Sequence, residues 1–283
     1  MIQEKNAIRR GMLYLVATPI GNLSDLSERA VKVLSEVDLI AAEDTRNSAK
    51  LLNILGIKKP MVSYHDHNRR ERGEELCQRL AGGESIALIT DAGTPGISDP
   101  GEDMVALCAE RGLPVTLIPG ACAGICALVL SGLPTGKFVF EGFLPPKSSD
   151  RRARLRELSG EKRTVVFHEA PHKLVSALTD MAEIFGDSRR IALCRELTKL
   201  NEEIVRTTLG QARDHYSEND PRGEFVLVVE GASGEDKPFW AELDEKAHVA
   251  HYVSLGMSKN DAIKAAARDR GVPKNEVYQK VIK

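Results

Sequence analysis

The sequence has little that would tie it to a membrane, an oxidising compartment or a bound nucleoside phosphate. No run of about 18 apolar residues occurs, so no segment is long enough to span a bilayer. The opening residues, MIQEKNAIRRG, lack the apolar core of a secretory signal, and no leader is expected. The five cysteines, Cys77, Cys108, Cys122, Cys126 and Cys194, are odd in number, scattered and without a CxxC pair. That pattern fits reduced thiols in a cytoplasmic protein and argues against a disulfide scaffold or a zinc site. An excess of charge is also missing: 39 Lys and Arg face 41 Asp and Glu, for a net charge of −2. With no global basic field, a polyanion must be met by a local patch. Two windows qualify, Lys147 to Arg163 and Gly256 to Lys283, each with seven Lys/Arg against three carboxylates. Solvated helix faces would give the same runs.

Two nucleotide signatures are absent. No GxGxxG follows a strand-like run, and Gly132 to Lys137 (GLPTGK) falls one residue short of a P-loop, with Phe138 in place of its Ser or Thr. A ligand without phosphates fits better.

What is present is an alternation. At roughly 100–200 residues per domain, 283 residues suggest two domains and a small appendage. Apolar runs at Met12 to Ala17, Leu39 to Ala42, Met61 to Tyr64, Ser85 to Thr90 and Pro114 to Ile118 predict strands. Amphipathic stretches at Ser27 to Val37, Asn47 to Leu55, Arg69 to Ala81 and Gly101 to Arg111 predict helices between them. The strands show little polar alternation, as when helices cover both faces of a parallel sheet. A second α/β unit follows, with strands from Lys137, Thr164, Arg190, Glu203 and Glu224 and helices from Ala121, Ser149, Lys173 and Gly210. Ala232 to Pro238 predicts a linker, being small and polar without periodicity. The remainder is helical, with Ser258 and Asp261 spaced as a capping box and Gly271 as a stop. Its short Gly-containing turn gives it a helix-turn-helix pattern. The fold class is therefore α/β, with domains over 12–120, 121–231 and a helical 239–283.

Gly and Pro concentrate just after predicted strands, in Thr18 to Leu23 (TPIGNL), Thr90 to Gly101 (TDAGTPGISDPG) and Pro119 to Ala123 (PGACA). Ligands of open α/β sheets bind at strand carboxyl ends, so three such loops in one domain predict a small-molecule pocket. Candidates for an acid–base role are Glu43 and Asp44 in AEDTR, His65 and His67 in YHDH, and Glu196 in CRELTK. Arg46, Arg195 and Lys199 are of the type that holds phosphates. For the acids, a salt bridge to a neighbouring Arg is the competing explanation. One His-Asp-His tripeptide is too little to define a metal site.

The ordered run LYLVATPIGNLSDLS, AAEDTR, ITDAGTPGISDPG and IPGACA resembles the tetrapyrrole-methylase superfamily. Together with FEGFLP, FHEAPHK, CRELTK and GEF, it is similar to the bacterial 16S rRNA (cytidine-2′-O)-methyltransferase family within it. The resemblance spans about Met12 to Lys283. It implies two α/β domains with an S-adenosyl-L-methionine cleft between them, a homodimer, and 16S rRNA within the small ribosomal subunit as partner. Transferred motif by motif, the cofactor is expected against Pro19, Gly93, Thr94, Pro95, Ile97, Ser98, Ala121, Cys122, Glu169 and Gly223. The catalytic set is expected among Glu43, Asp44, Arg46 and Glu196, with no metal. Two rival readings are a small-molecule (tetrapyrrole) methyltransferase and a non-catalytic ribosome-assembly module that binds RNA.

Overall fold

The computed structural model describes residues 7–233, 239–240 and 243–282. Most of the stretch expected as a linker, from 234 to 238, lies outside them. The chain divides into two compact units, one ending at Gly231 and the other beginning at Ala232.

The first unit opens with five strands: β1 Leu13–Val16, β2 Leu39–Ala42, β3 Met61–Ser63, β4 Ile86–Ile89 and β5 Val115–Ile118. They form a wholly parallel sheet in the order β3-β2-β4-β1-β5. Between them run α1 Glu28–Glu36, α2 Thr45–Ile54, α3 Arg69–Ala81 and α4 Glu102–Glu110. Successive strand residues serve opposite faces. Tyr14, Val16, Ile40, Ala87 and Ile89 pack under α1 with Ala30, Val33 and Leu34. Leu13, Leu15, Leu39, Ile86 and Leu88 pack under α3 and α4 with Leu76, Leu80 and Met104. Burial on both faces is why β1, β2 and β4 read as unbroken apolar runs. The Ser27 hydroxyl caps α1 by accepting from the Ala30 N–H at 3.1 Å. Asp44 caps α2, which starts two residues earlier than periodicity alone predicts.

Strand order places the functional edge. From β1 the chain crosses β4 to reach β2, and from β4 it crosses β1 in the other direction to reach β5. The connections from these two adjacent strands leave in opposite directions, the arrangement that places a ligand crevice at their carboxyl ends in α/β sheets.

The second half of this unit holds α5 Ala123–Leu130, β6 Phe138–Phe143, α6 Ser148–Leu158, β7 Thr164–Glu169, α7 Pro171–Phe185, β8 Arg190–Arg195, β9 Glu203–Thr208, α8 Leu209–Glu218 and β10 Phe225–Val229. Its sheet runs β6-β7-β10-β8-β9. Only β6 and β7 are parallel; the other neighbours are antiparallel. Phe167, Leu193 and Leu227 pack with Leu155, Leu174 and Leu178 on one face. The other face, with Val166, Cys194 and Val228, takes Ala127 and Leu128 of α5 and the side of Ile20 from the loop after β1. That face joins the two halves.

The second unit has α9 Glu245–Ser254, α10 Lys259–Asp269 and α11 Lys274–Ile282 around Val249, Tyr252, Ala262, Ile263, Ala266 and Val277. The capping box forms: Ser258 Oγ accepts from the Asp261 N–H at 3.2 Å and donates to its carboxylate at 2.7 Å. Gly271, at φ 64°, turns the chain out of α10. Among the described residues, no helix is long and apolar enough to cross a membrane.

Candidate cofactor cleft and acceptor edge

The three Gly/Pro loops are tied together, the first two by their backbones and the second to the third by a side chain. Thr18 and Gly93 exchange both hydrogen bonds, N–H of Thr18 to the Gly93 carbonyl at 2.9 Å and N–H of Gly93 to the Thr18 carbonyl at 3.1 Å. The Thr94 hydroxyl donates to the Ala121 carbonyl at 2.9 Å. Gly93 stands at φ 84°, and a Cβ there would lie 3.3 Å from Ile20 and 3.6 Å from the Ala121 carbonyl. The backbone conformation calls for glycine, and a Cβ would press on the Ile20 side chain. Ser98 adopts φ 65° without being glycine, a local strain concentrated where the loop turns toward the second sheet. A Cβ on Gly142, beside the bulge in β6, would sit 3.3 Å from the Ser98 hydroxyl.

The expected cofactor residues thus fall into two groups. Pro19, Gly93, Thr94, Pro95, Ile97, Ser98, Ala121 and Cys122 belong to the joined loops of the first sheet. Glu169 and Gly223 belong to one end of the second sheet, where Glu169 pairs in register with Phe225. Glu169 is buried, its carboxylate accepts from the Ala170 N–H at 2.9 Å, and burial pushes its pKa up. The two halves of the unit approach each other where the loop after β1 reaches the CRELTK turn: a Cβ on Gly21 would collide with Lys199 and touch Thr198.

The candidate bases separate sharply. Glu43 ends β2, half-buried, and its carboxylate accepts from the Asp91 N–H at 3.2 Å. Burial raises its pKa, and Asp91, Asp66 and Asp44 push the same way against that one hydrogen bond. Asp44 instead caps α2 and grips Arg46 through both carboxylate oxygens, at 3.1 and 2.8 Å, and these bonds hold its carboxyl down at about 2. Arg46 is otherwise open to solvent, with 86% of its side chain exposed. Glu196 is engaged through its Oε1. It takes the Lys199 ammonium at 2.8 Å and the Glu224 N–H at 2.9 Å, and its pKa is lowered by the Lys199 bond first. A Cβ on Gly223 would strike the Glu196 side chain at 2.5 Å, so this pair is a fitted brace. Its partner is Lys199, whereas Arg195 pairs with Glu203.

Sequence reasoning gives no role to Asp91, Asp99 or His168. Asp99 is pushed up to about 6, by burial first and then by the charges of Glu43, Asp91 and Asp66. It lines a cavity of about 250 Å³ with Asp66, Arg69, Ser98 and Asp103. A signal exists, since Asp91 and Asp99 lie in the densest Gly/Pro loop, but only the β2–β4 adjacency brings them to Glu43. His168 sits between the rings of Phe140 and Phe143, with centroids 5.3 and 5.4 Å away. Its Nε2 is buried without a hydrogen-bond partner, and burial lowers its pKa. His65 and His67 lie edge to face at 5.9 Å. Among the described residues, no group of three or more His, Cys, Asp or Glu is placed to hold a metal ion.

The basic window on α6 is a different matter from its appearance in sequence. Arg151 is buried against Asp180 at 2.7 Å, Arg152 binds Asp180 and Glu183, and Arg154 binds Glu141 and Glu157. These three arginines are paired within the fold, so less of the window is open to a polyanion than its composition suggests.

The model of the tetrapyrrole (corrin/porphyrin) methylases matches residues 12–213. The chain belongs to this family. Within it, ribosomal RNA small subunit methyltransferase I of Synechocystis sp. is 48% identical, over 95% of this chain and 96% of its own length. The protein of the same name from Bacillus subtilis is 46% identical, over 95% and 93%. Fold neighbours are more distant in sequence. A uroporphyrin-III-C-methyltransferase from Thermus thermophilus has a TM-score of 0.56 at 20% identity, covering 78% of this chain and 94% of its own. A structure of that enzyme complexed with S-adenosyl homocysteine has a TM-score of 0.54 at 17% identity, over 77% and 97%. The motif run implies this family, and the two-sheet architecture is that of its members.

Proposed function

We propose that this chain transfers the methyl group of S-adenosylmethionine to small-subunit (16S) ribosomal RNA, and that the acceptor is the 2′-hydroxyl of a cytidine ribose. The observation that carries the reading is the convergence of three glycine loops at the switch crevice, on a chain whose relatives are named for that RNA. The cleft suits the cofactor. It offers backbone groups, room at Gly93 that a side chain would fill, and no phosphate-binding lysine. The uncompensated carboxylates at its edge favour a ligand with ammonium and sulfonium charges. Pro19, Gly93, Thr94, Pro95, Ile97, Ser98, Ala121 and Cys122 would hold it on one side, and the backbone near Glu169 and Gly223 on the other. Bound there, the cofactor supplies an electrophilic methyl group.

The chain's own contribution is position and proton transfer. A ribose hydroxyl becomes a competent nucleophile as its proton is shared with a base, and Glu43 has the raised affinity such a base needs. Glu43 takes the proton. Asp44 fixes the α2 N-terminus and aims Arg46, whose guanidinium is available for a phosphate. Glu196 braces the turn at Gly223 and acts on the cofactor side through that backbone. In-line alignment of hydroxyl and methyl provides much of the remaining acceleration.

The active species is a homodimer in this reading. Leu117 on β5 stands 45% exposed, and Ile125 and Val129 stand 44% and 67% exposed on α5, a helix without a single charge. A second copy covering that face removes the apolar area from water. Unpaired cysteines and an rRNA substrate support a cytoplasmic location. The test is mass mapping of 16S rRNA from cells lacking the protein, with the purified chain added back. One ribose methyl lost and then restored is the expected result. An unchanged methylation map, or a restored methyl on a base, overturns the assignment.

A further inference from the structure

We infer that the C-terminal helical unit grips unpaired RNA through the outward face of α11. The inference rests on the RNA reading above and adds a second binding surface, remote in sequence from the cleft.

α11 buries Val277 fully and Val281 in part, a spacing of four that commits one face to the core. The Ala262 and Ala266 side of α10 belongs to the same core, and the short turn through Gly271 and Pro273 joins the two helices. Lys274, Asn275, Tyr278 and Gln279 are left exposed, with Tyr278 at 43%.

The charge on this surface is not random. Carboxylates of α10 and α11 are engaged within the unit: Asp261 with Lys264 at 3.0 Å, Glu276 with Lys280 at 3.5 Å, and Asp269 turned inward to His248 and Tyr252. Lys259, Arg268 and Lys274 are exposed and have no carboxylate within 4.0 Å among the described residues. This is the reverse of Arg151, Arg152 and Arg154 on α6, which are consumed by carboxylates. Lys274, with Asn275, Tyr278 and Gln279 exposed on the same helix, matches one kind of partner. Lysine meets phosphate, a tyrosine ring stacks on a base, and Asn and Gln pair with base edges. A-form duplex RNA keeps its major-groove base edges out of reach and its bases stacked, so the fitting target is a loop or single-stranded stretch.

The test uses the full-length chain with naked 16S rRNA and with purified small subunits. In Lys274→Ala/Asn275→Ala/Tyr278→Ala, KM for RNA should rise tenfold or more. Turnover at saturating RNA and S-adenosylmethionine affinity should stay within twofold. The salt dependence of RNA binding should flatten by about 0.7 for the one phosphate no longer neutralised. Tyr278→Phe should keep the wild-type KM, because the ring stacks without its hydroxyl. An unchanged KM and salt slope in the triple variant overturns the inference. So does a loss confined to assembled subunits, which would make the partner a ribosomal protein. If the wild-type chain neither binds nor methylates RNA, the functional reading itself falls and this inference with it. A wild type that methylates beside an indifferent triple variant sinks this inference alone.

Discussion

The carboxyl edge of the first sheet and helix α6 are both dense in charge, and they dispose of it in opposite ways. At the sheet edge, Glu43, Asp91 and Asp99 gather around glycine loops, and the pKa values of Glu43 and Asp99 rise. On α6, Arg151, Arg152 and Arg154 each find a carboxylate, and Asp180 takes two of them. A charge neutralised inside the fold contributes to folding and has little left to offer a ligand. A charge held without a counter-ion costs stability and is available for chemistry. Glu196 makes the same point within the candidate site: it looks like Glu43 in sequence, acid beside arginine, yet Lys199 and the Glu224 N–H occupy it.

The harshest way to break the contrast is to fill the crevice. Gly93→Val forces a β-branched residue to φ 84° and toward Ile20 and the Ala121 carbonyl. S-adenosylmethionine affinity should drop about 100-fold or more by calorimetry, since the side chain takes the ligand's space and strains the loop. The circular dichroism spectrum should keep its α/β form. Wild-type affinity would remove Gly93 from the site.

Glu43→Gln and Glu196→Gln compare a carboxylate held only by a backbone N–H with one held by an ammonium. Glu43→Gln keeps shape and loses basicity, so turnover should fall about 10²-fold with cofactor and RNA affinities little changed. Glu196→Gln should change turnover only a few-fold and mainly raise the KM for cofactor, through the Gly223 turn. Equal effects on turnover would erase the distinction drawn from their partners. The wild-type rate should rise with pH through the acid limb, because a base with raised pKa stays protonated, and idle, further up the scale.

Much of this is legible in the sequence. Strand β2 and helix α3 fall on the residues that periodicity predicts, and the three Gly/Pro loops converge as the switch-point rule requires. The reason is local: strands buried on both faces and capped amphipathic helices announce themselves over ten residues. What the sequence hides is the partner of each charge. Arg152 meets Glu183 thirty-one positions away, and Glu196 meets the N–H of Glu224 twenty-eight positions away. Asp99 joins Glu43 only because β4 lies beside β2. Those pairings are set by topology, and no window of sequence contains them.

Stability should register the two regions with opposite signs. Arg151→Ala removes one partner from buried Asp180 and should cost about 3 kcal/mol in denaturant unfolding, the low end for such a loss because Arg152 remains. Asp99→Asn should raise the melting temperature at pH 7 to 8. The sign follows from a folded-state pKa of about 6 against an ordinary value of 3.8. The folded state binds the proton more tightly, so the penalty of the charged carboxylate is complete above pH 6 and fades as pH falls toward the unfolded value. The advantage of asparagine should shrink over the same interval. A gain that grows on acidification would contradict the assignment of an uncompensated charge.

The smallest effect is expected where sequence alone would place a large one. If α6 were a phosphate-binding face, removing two arginines would lower the salt slope of RNA binding by roughly 0.7–0.9 for each phosphate left unneutralised. In the fold, Arg152 and Arg154 already serve Glu183 and Glu141, and Arg154 also serves Glu157. To reach a phosphate they would have to break those bonds and leave the carboxylates facing the RNA. Arg152→Ala/Arg154→Ala should therefore leave the salt slope of 16S rRNA binding unchanged within experimental error. The variant should show only a modest fall in melting temperature as its ion pairs disappear. A slope lowered by one or more would mean that the arginines exchange partners on binding, and that charge spent in the free protein can be recovered by a polyanion.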